Sequence, residues 1–185
     1  MKKTFLFLSL SLISMSLCHG HNINDDIAVN TVDDNNPTNG GKKTWSFSYE
    51  TDEMTDSKNI WASLKSDNVL RQNSPYQGDT YAKITVRYMK KYGYDVIIEI
   101  TKGQIIYSHV GGNVLTIRFD SDEPRSYSFN SSADHDPKCV FLYNVKDFIK
   151  RAKKAKTIKL QIPVYHSGNP IFTFTVDEPL VWSKN

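Results

Sequence analysis

Residues 81–120 read YAKITVRYMKKYGYDVIIEITKGQIIYSHVGGNVLTIRFD, and this stretch decides the fold. Polar and apolar residues alternate over its first eight positions and again over residues 114–119. A period of two is typical of a half-buried strand, because successive side chains point to opposite faces of a sheet. Glycine-containing turns separate these runs at Gly93, at Gly103 and at residues 111–113. The stretch therefore predicts three or four antiparallel strands joined by tight turns.

Shorter runs of the same kind flank this stretch on both sides. They lie at residues 45–49, 59–66, 125–129, 140–143, 157–165 and 171–176. The last two are separated by a turn that contains Gly168 and Pro170, which predicts a hairpin. No helix-length periodic segment separates the central strands, so a doubly wound sheet is excluded. We predict a mainly β fold, an antiparallel β-sandwich with one α-helix in the C-terminal half.

The single helix is predicted directly after Asn144. Four apolar residues at helical spacing form one stripe there, Val145, Phe148, Ile149 and Ala152. Asn144 and Asp147 stand three residues apart and resemble a capping box. The helix should therefore begin at Asn144 and bury its stripe against the strands.

The first twenty residues predict a secretory signal peptide. A basic start at Lys2 and Lys3 precedes an apolar, serine-rich run too short to span a bilayer comfortably. Small residues precede a cleavage point after Gly20. The alternative is a lipoprotein signal in which Cys18 is lipidated and retained, although Leu17 is bulky for such a site. In either case the mature chain is expected outside the cytoplasm. It would lie in the periplasm or cell envelope, or be secreted, and it would be attached to a membrane only if Cys18 is lipidated.

Residues 21–44 predict a flexible polar tether, and residues 45–185 the folded β-sandwich domain. The tether is rich in Asn, Asp and Gly and has few residues that could build a core. Loss of residues 1–20 leaves 21 basic residues against 20 acidic ones, a net charge of +1. This balance gives little support for a nucleic-acid partner or a membrane-surface role.

Only two cysteines are present, Cys18 and Cys139. Cleavage after Gly20 would leave Cys139 as a lone thiol. It stands in the apolar run Cys139-Val140-Phe141-Leu142, which favours a buried, inert residue over a catalytic thiol.

Several segments resemble a family of small exported bacterial proteins with one β-sandwich-like domain, distantly similar to the TagO-like proteins associated with type VI secretion. They are Trp45, residues 52–58 (DEMTDSK), 61–64 (WASL), 102–104 (KGQ), 118–120 (RFD), 147–156 (DFIKRAKKAK) and 172–174 (FTF). The resemblance implies the same fold, and it brings no catalytic residues because most members have no assigned activity. Members often carry two cysteines after the Lys-Gly-Gln turn, whereas residues 105–112 have none. If those cysteines form a disulfide bond, which would stabilise the fold by roughly 2–4 kcal/mol, packing around Tyr107 must replace that stabilisation here.

No catalytic, cofactor-binding or metal site is predicted. The sequence Asp134-His135-Asp136 carries three metal-ligating groups, but three adjacent residues rarely converge on one ion, which favours a solvated loop. There is no Gly-x-Ser-x-Gly elbow for a serine hydrolase. A hydrolase centred on His135 or His166 stays open as an alternative.

Two groups of residues are candidates for interaction. Tyrosine brings a large contact area at little entropic cost, so the tyrosines near turns, Tyr88, Tyr92 and Tyr107, could form a recognition surface. The basic residues of the helix, Lys150, Arg151 and Lys154, could bind an anionic ligand, although a surface helix normally carries its charges on the solvated face. The sequence therefore predicts a binding or secretion-accessory protein of the envelope, without a cofactor, whose partner is another envelope protein.

Overall fold

A computed structural model of the chain describes residues 43–110 and 112–182. The predicted signal peptide, Cys18 and almost all of the predicted tether lie outside these residues. The described part contains eleven strands and one helix. The strands are β1 (Ser46–Asp52), β2 (Ser57–Lys65), β3 (Leu70–Gln72), β4 (Gly78–Thr80), β5 (Ala82–Met89), β6 (Gly93–Ile100), β7 (Val114–Phe119), β8 (Arg125–Ser131), β9 (Cys139–Leu142), β10 (Thr157–Gln161) and β11 (Ile171–Thr175), and the helix is α1 (Val145–Ala152).

Nine of these strands form one continuous antiparallel sheet in the order β1-β2-β5-β6-β9-β8-β7-β10-β11. Strand β8 joins its two halves. Residues 125–128 of β8 pair with β7, and residues 129–131 pair with β9. The larger layer therefore contains β1, β2, β5, β6 and β9, and the smaller one contains β7, β10 and β11. The prediction of a mainly β, sandwich-like antiparallel fold with one helix is confirmed.

One hydrophobic core lies between the two layers. The larger layer contributes Ile84, Val86 and Ile98, each fully buried, and the smaller layer contributes Ile117 and Leu160. In β5, β7 and β10 these residues alternate with polar positions, as the period-two pattern predicted, whereas Ile98 of β6 follows the buried Ile97. A fully buried side chain of this size stabilises the fold by about 1.5–3 kcal/mol. The alternation seen in the sequence is therefore what defines the inner faces of the two layers.

The central stretch forms strands as predicted but does not form one meander. Strands β5 and β6 pair from Ala82↔Ile100 to Met89↔Gly93. The other neighbour of β6 is β9, and β7 lies in the opposite layer beside β10. The chain crosses between the layers after β6, so β7 is not hydrogen-bonded to the strand that precedes it. The predicted hairpin near the C-terminus is confirmed as β10 and β11.

Helix α1 packs its apolar stripe on the core but has no capping box. Phe148 and Ala152 are fully buried, and the ring of Phe148 meets Phe119 edge to face at 5.5 Å. The side chain of Asn144 makes no capping hydrogen bond. Asp147 instead accepts hydrogen bonds from Tyr127 and Arg151, so the capping-box prediction is wrong.

Two further features depart from the sequence predictions. Residues 67–80, for which the sequence pattern predicts no strand, contain the small hairpin β3–β4. Cys139 is buried as expected, with 1% of its surface exposed, but in the 185-residue chain its sulfur is disulfide-bonded. No helix within the described residues is long and apolar enough to cross a membrane.

Candidate functional site

An open cleft of about 650 Å³ lies on the inner face of the larger layer, at its free end. All seven residues of β1 are exposed, so the smaller layer does not cover this strand. Phe47 and Tyr49, which point to the inner face, are 37% and 67% exposed. Aromatic residues that a second sheet would normally bury are therefore accessible here.

The floor of the cleft belongs to a row of side chains from neighbouring strands, of which Tyr49, Ile60 and Tyr88 line the cleft. Tyr49 pairs with Ile60, Ile60 with Tyr88, and Tyr88 with Tyr94. The rings of Tyr88 and Tyr94 lie 4.8 Å apart, within the range of favourable aromatic contacts. Because successive positions alternate between faces, these four side chains share one surface.

Trp182 forms one wall of the cleft. Its ring centroid lies 6.3 Å from that of Phe47 and 6.0 Å from that of Tyr94. The ammonium of Lys153 donates a hydrogen bond to the Trp182 carbonyl at 2.6 Å, and Leu180 N–H donates to the Ala152 carbonyl at 3.2 Å. The end of helix α1 therefore fixes the C-terminal segment against the cleft.

Two lysines lie at the mouth of the cleft. Lys58 stands two residues before Ile60 and Lys90 two residues after Tyr88, so both follow the floor on the same face. Both are exposed, and neither ammonium forms an ion pair within the part of the chain that the structure describes. Asp56 and the largely buried Ser57 complete the polar rim. The cleft combines an aromatic floor with two free positive charges.

The two edges of the nine-stranded sheet differ. At the β11 edge, Asn68 accepts from the Thr173 N–H at 2.7 Å and donates to the Ile171 carbonyl at 2.9 Å. The N–H of Asp67 also donates to the Thr173 carbonyl at 2.7 Å. Among the described residues, nothing comparable bonds the outer backbone edge of β1. Of the two edges, the one beside the cleft is therefore unblocked by any residue that the structure describes.

The predicted interaction tyrosines do not form one surface. Tyr88 lines the cleft. Tyr92 lies in the β5–β6 turn, 41% exposed, with the ammonium of Lys91 5.0 Å from its ring centroid. Tyr107 packs against the core and meets the His109 ring at 5.3 Å. Only the first of these residues therefore belongs to the cleft.

The predicted basic residues lie together at a smaller cleft of about 300 Å³. Lys150, Arg151 and Lys154 line it with Asp120 and Asp122. Arg151 is already bound by Asp147 and by Asp122, each at 3.1 Å. Carboxylates thus offset much of the positive charge at this site.

The buried hydroxyl of Tyr127 donates a hydrogen bond to Asp147 at 2.5 Å. Burial, and after it this bond to a carboxylate, raises the pKa of Tyr127. The same bond, together with Arg151, lowers the pKa of Asp147. The group therefore joins strand β8 to helix α1 through a charge-assisted contact, and we assign it a structural role.

The histidines do not assemble a catalytic triad within the described residues. The ring of His135 meets that of His109 at 5.8 Å, and His166 meets Tyr165 at 4.1 Å. In this part of the chain no hydrogen bond joins these imidazoles to a serine hydroxyl or a carboxylate. No group of three His, Cys, Asp or Glu side chains is placed there to hold a metal ion.

No protein-family model matches the sequence, and no curated protein matches it. Among solved structures, the chain is similar to the crystal structure of invasion associated protein B from Bartonella henselae. The TM-score is 0.42 at 10% identity, over 74% of this chain and 85% of that one. This likeness is distant, and we draw no functional conclusion from it.

Sequence reasoning missed most of the cleft. The alternating pattern of residues 45–49 predicts a strand at Phe47 and Tyr49 but no site. The alternating aromatic residues at 45–49 could have indicated an interaction surface. Such residues are normally buried by a second layer, and an edge strand can leave them exposed. That β1 forms the edge follows from long-range pairing, which the sequence pattern does not show.

Proposed function

We propose that this chain is an exported, non-catalytic binding protein that recognises a partner protein through the aromatic cleft. The observation that carries the proposal is the exposure of Phe47 and Tyr49 beside Tyr88 and Trp182. Exposed aromatic clusters on a rigid strand scaffold are typical of recognition surfaces, because the rings offer large area with few rotatable bonds. A secretion-accessory role in the envelope fits the predicted signal peptide and the family resemblance.

The rigidity of the cleft supports binding over chemistry. Its side chains come from three paired strands and from a C-terminal segment held by Lys153. Such a preformed surface loses little conformational entropy when a partner docks. Its lining is aromatic and aliphatic, with two lysines, Asp56 and Ser57 at the rim, which suits contact with a polypeptide.

Site-specific crosslinking tests this proposal. A photoreactive residue is placed at Tyr49 in one variant and at Tyr143 in another, and both are expressed in the native cell. The two positions are matched, because Tyr49 is 67% and Tyr143 is 66% exposed, but Tyr143 lines neither cleft. We expect one partner to be captured from position 49 and not from position 143. Equal capture from both positions, or none from either, would contradict the proposal.

Anionic-ligand binding at the helix is a weaker second proposal. The cleft beside Lys150 and Lys154 supports it, but the carboxylates of Asp120 and Asp122 line the same cleft. It predicts binding that falls steeply with ionic strength and is lost when both lysines are reversed to glutamate. A hydrolase acting through His135 or His166 would need a partner for the imidazole, and the contacts of the described residues do not favour it.

A further inference from the structure

We propose that the partner binds by strand addition. An extended segment of the partner pairs with the open edge of β1, directs alternate apolar side chains into the aromatic cleft, and places a carboxylate against Lys58 and Lys90. This inference rests on the proposed function and specifies how that site works and which segment it recognises. Extended peptides are commonly recognised in this way, with backbone hydrogen bonds giving affinity and side-chain pockets giving specificity.

The asymmetry of the two sheet edges is the first argument. An exposed strand edge presents unpaired N–H and C=O groups, and proteins usually block it with a loop, a proline, a lysine or a short strand. The β11 edge is blocked by Asn68 and Asp67. Strand β1 is seven residues long, exposed throughout, and contains neither lysine nor proline. Within the described residues, one edge is therefore closed and the edge beside the cleft is left open.

The alternation of β1 is the second argument. Phe47, Tyr49 and Thr51 point to the inner face, and their cross-strand partners are Ala62, Ile60 and Lys58. A strand added to β1 would extend each of these rows by one residue. Apolar residues opposite Phe47 and Tyr49 would cover rings that are now exposed. Cross-strand pairs of aromatic and β-branched residues are among those that stabilise a sheet.

The two lysines define the chemistry of the incoming strand. Thr51 is short, so an acidic residue opposite it could reach across it to the ammonium of Lys58. Lys90 lies on the same face one strand further and adds to the positive potential. An added strand with a carboxylate at this position therefore gains charge complementarity.

A second copy of this chain fits less well than another protein. If β1 of another copy paired with this edge, its inner face would offer Phe47, Tyr49 and Thr51, none of which is acidic. Both lysines would then remain without an ion-pair partner. We therefore assign the edge to a different polypeptide that carries an acidic residue.

Peptide binding to the full chain tests the proposal. The probe is a fluorescently labelled peptide, Glu-Thr-Val-Thr-Val-Thr-Glu, whose glutamates flank the valines on one face and which we expect to pair antiparallel to β1, as β2 does. Two analogues carry N-methyl groups on alternate backbone amides. In one analogue the amides of the valines and glutamates are methylated, and in the other the amides of the threonines are methylated. Binding is followed by fluorescence anisotropy. In strand addition only one set of amides faces β1, so we expect one analogue to lose at least tenfold in affinity and the other to retain it.

Charge reversal tests the chemistry of the segment. In the variant Lys58→Glu/Lys90→Glu, the glutamate peptide should bind at least tenfold more weakly, and a peptide with lysines in place of both glutamates should bind more tightly. The variant Lys159→Glu, at an exposed position on β10, is the matched control and should bind as the wild type does.

Three other results would overturn the strand-addition proposal, and each can be told apart from failure of the proposed function. Binding that is lost in Tyr49→Ala but is equally affected by both N-methyl patterns overturns strand addition and leaves cleft recognition standing. A concentration-dependent dimer in sedimentation, dissociated by the peptide, identifies the occupant as a second copy and overturns the assignment. The absence of saturable binding up to about 1 mM, the weak end of specific recognition, also overturns it. Failure of the proposed function itself would appear separately, as loss of selective crosslinking at position 49.

Discussion

The carboxamide of Asn68 makes with the backbone around Thr173 the hydrogen bonds that a neighbouring strand would make. It accepts a hydrogen bond from the Thr173 N–H and donates one to the carbonyl of Ile171, so the backbone of β11 is satisfied at its outer edge. A typical net contribution is about 0.5–1.5 kcal/mol per hydrogen bond. We predict that Asn68→Ala lowers the free energy of unfolding by about 1–2 kcal/mol, measured by urea denaturation.

The matched control for this substitution is Asn59→Ala. Asn59 also lies near an edge, but its amide only contacts the exposed carboxylate of Glu50 at 3.3 Å, and we expect a loss below about 0.5 kcal/mol. Asn68→Ala should in addition increase self-association, because it opens an edge that the wild type blocks. Equal stability losses in both variants would show that Asn68 is not a specific edge cap.

Gly103 is required by a close contact as well as by its backbone conformation. Its φ is +91°, and a Cβ there would lie 2.7 Å from the amide nitrogen of Gln72. That amide is buried and donates to the Thr80 hydroxyl at 2.7 Å and to the Lys102 carbonyl at 3.1 Å. Gly103→Ala must therefore displace a bonded group that ties the β3–β4 hairpin to the rest of the fold.

Gly93 separates the steric cost of a side chain from its backbone cost, because a side chain there would have room. Gly93 has a φ of +82°, and a Cβ there would meet nothing within 4 Å. We expect Gly93→Ala to cost about 1–2 kcal/mol, because an L-residue is strained in the left-handed backbone region. Gly103→Ala should cost about 1–3 kcal/mol more, since the buried Gln72 amide loses its partners. Thermal or urea unfolding of the two variants measures the difference, and equal losses would refute the steric argument.

The contact of Tyr127 with Asp147 predicts a dependence of stability on pH. The pKa of Asp147 is lowered in the folded state, so its contribution is present above the pKa of an unfolded carboxyl, about 4, and is lost as the pH falls further. The pKa of Tyr127 is raised, so its contribution is present below about 10 and is lost as the pH rises above that. Stability should therefore decline at both extremes.

Two substitutions isolate this contribution. Tyr127→Phe should lower the free energy of unfolding by about 1.5–3 kcal/mol at neutral pH, because a hydrogen bond to a charged group is lost. Asp147→Asn should reduce the loss of stability between pH 4 and pH 2. Melting temperatures measured across pH test both, with Glu53→Gln in the exposed β1–β2 turn as the control. An unchanged acid profile in Asp147→Asn would contradict the assignment.

Periodicity predicted the strands well because it reports a local property. Residues 82–88 and 114–119 alternate because the apolar side chains of each pack into the core from one face, and both form strands. The apolar stripe of the helix, with Phe148 and Ala152 buried, follows from the same reasoning. Pairing between distant strands has no such local signal. The sequence therefore did not predict that β7 lies across the core from β6.

The failures at Asn144 and at the cleft have the same origin. Asp147 has the spacing of a capping residue, but a buried tyrosine twenty residues earlier offers it a stronger hydrogen bond. Phe47 and Tyr49 have the pattern of a core strand, but β1 is at the sheet edge and leaves them exposed. In both cases a tertiary contact overrides a correct local pattern.

The N-terminal prediction can be tested by counting thiols. Cleavage after Gly20 would remove Cys18 and leave Cys139 as the sole cysteine of a 165-residue chain. The mature protein should then begin at His21, match the mass of the unmodified chain, and titrate as one thiol after unfolding without reduction. A mass increased by acyl groups on Cys18 would instead support the lipoprotein alternative and place the aromatic cleft at a membrane surface.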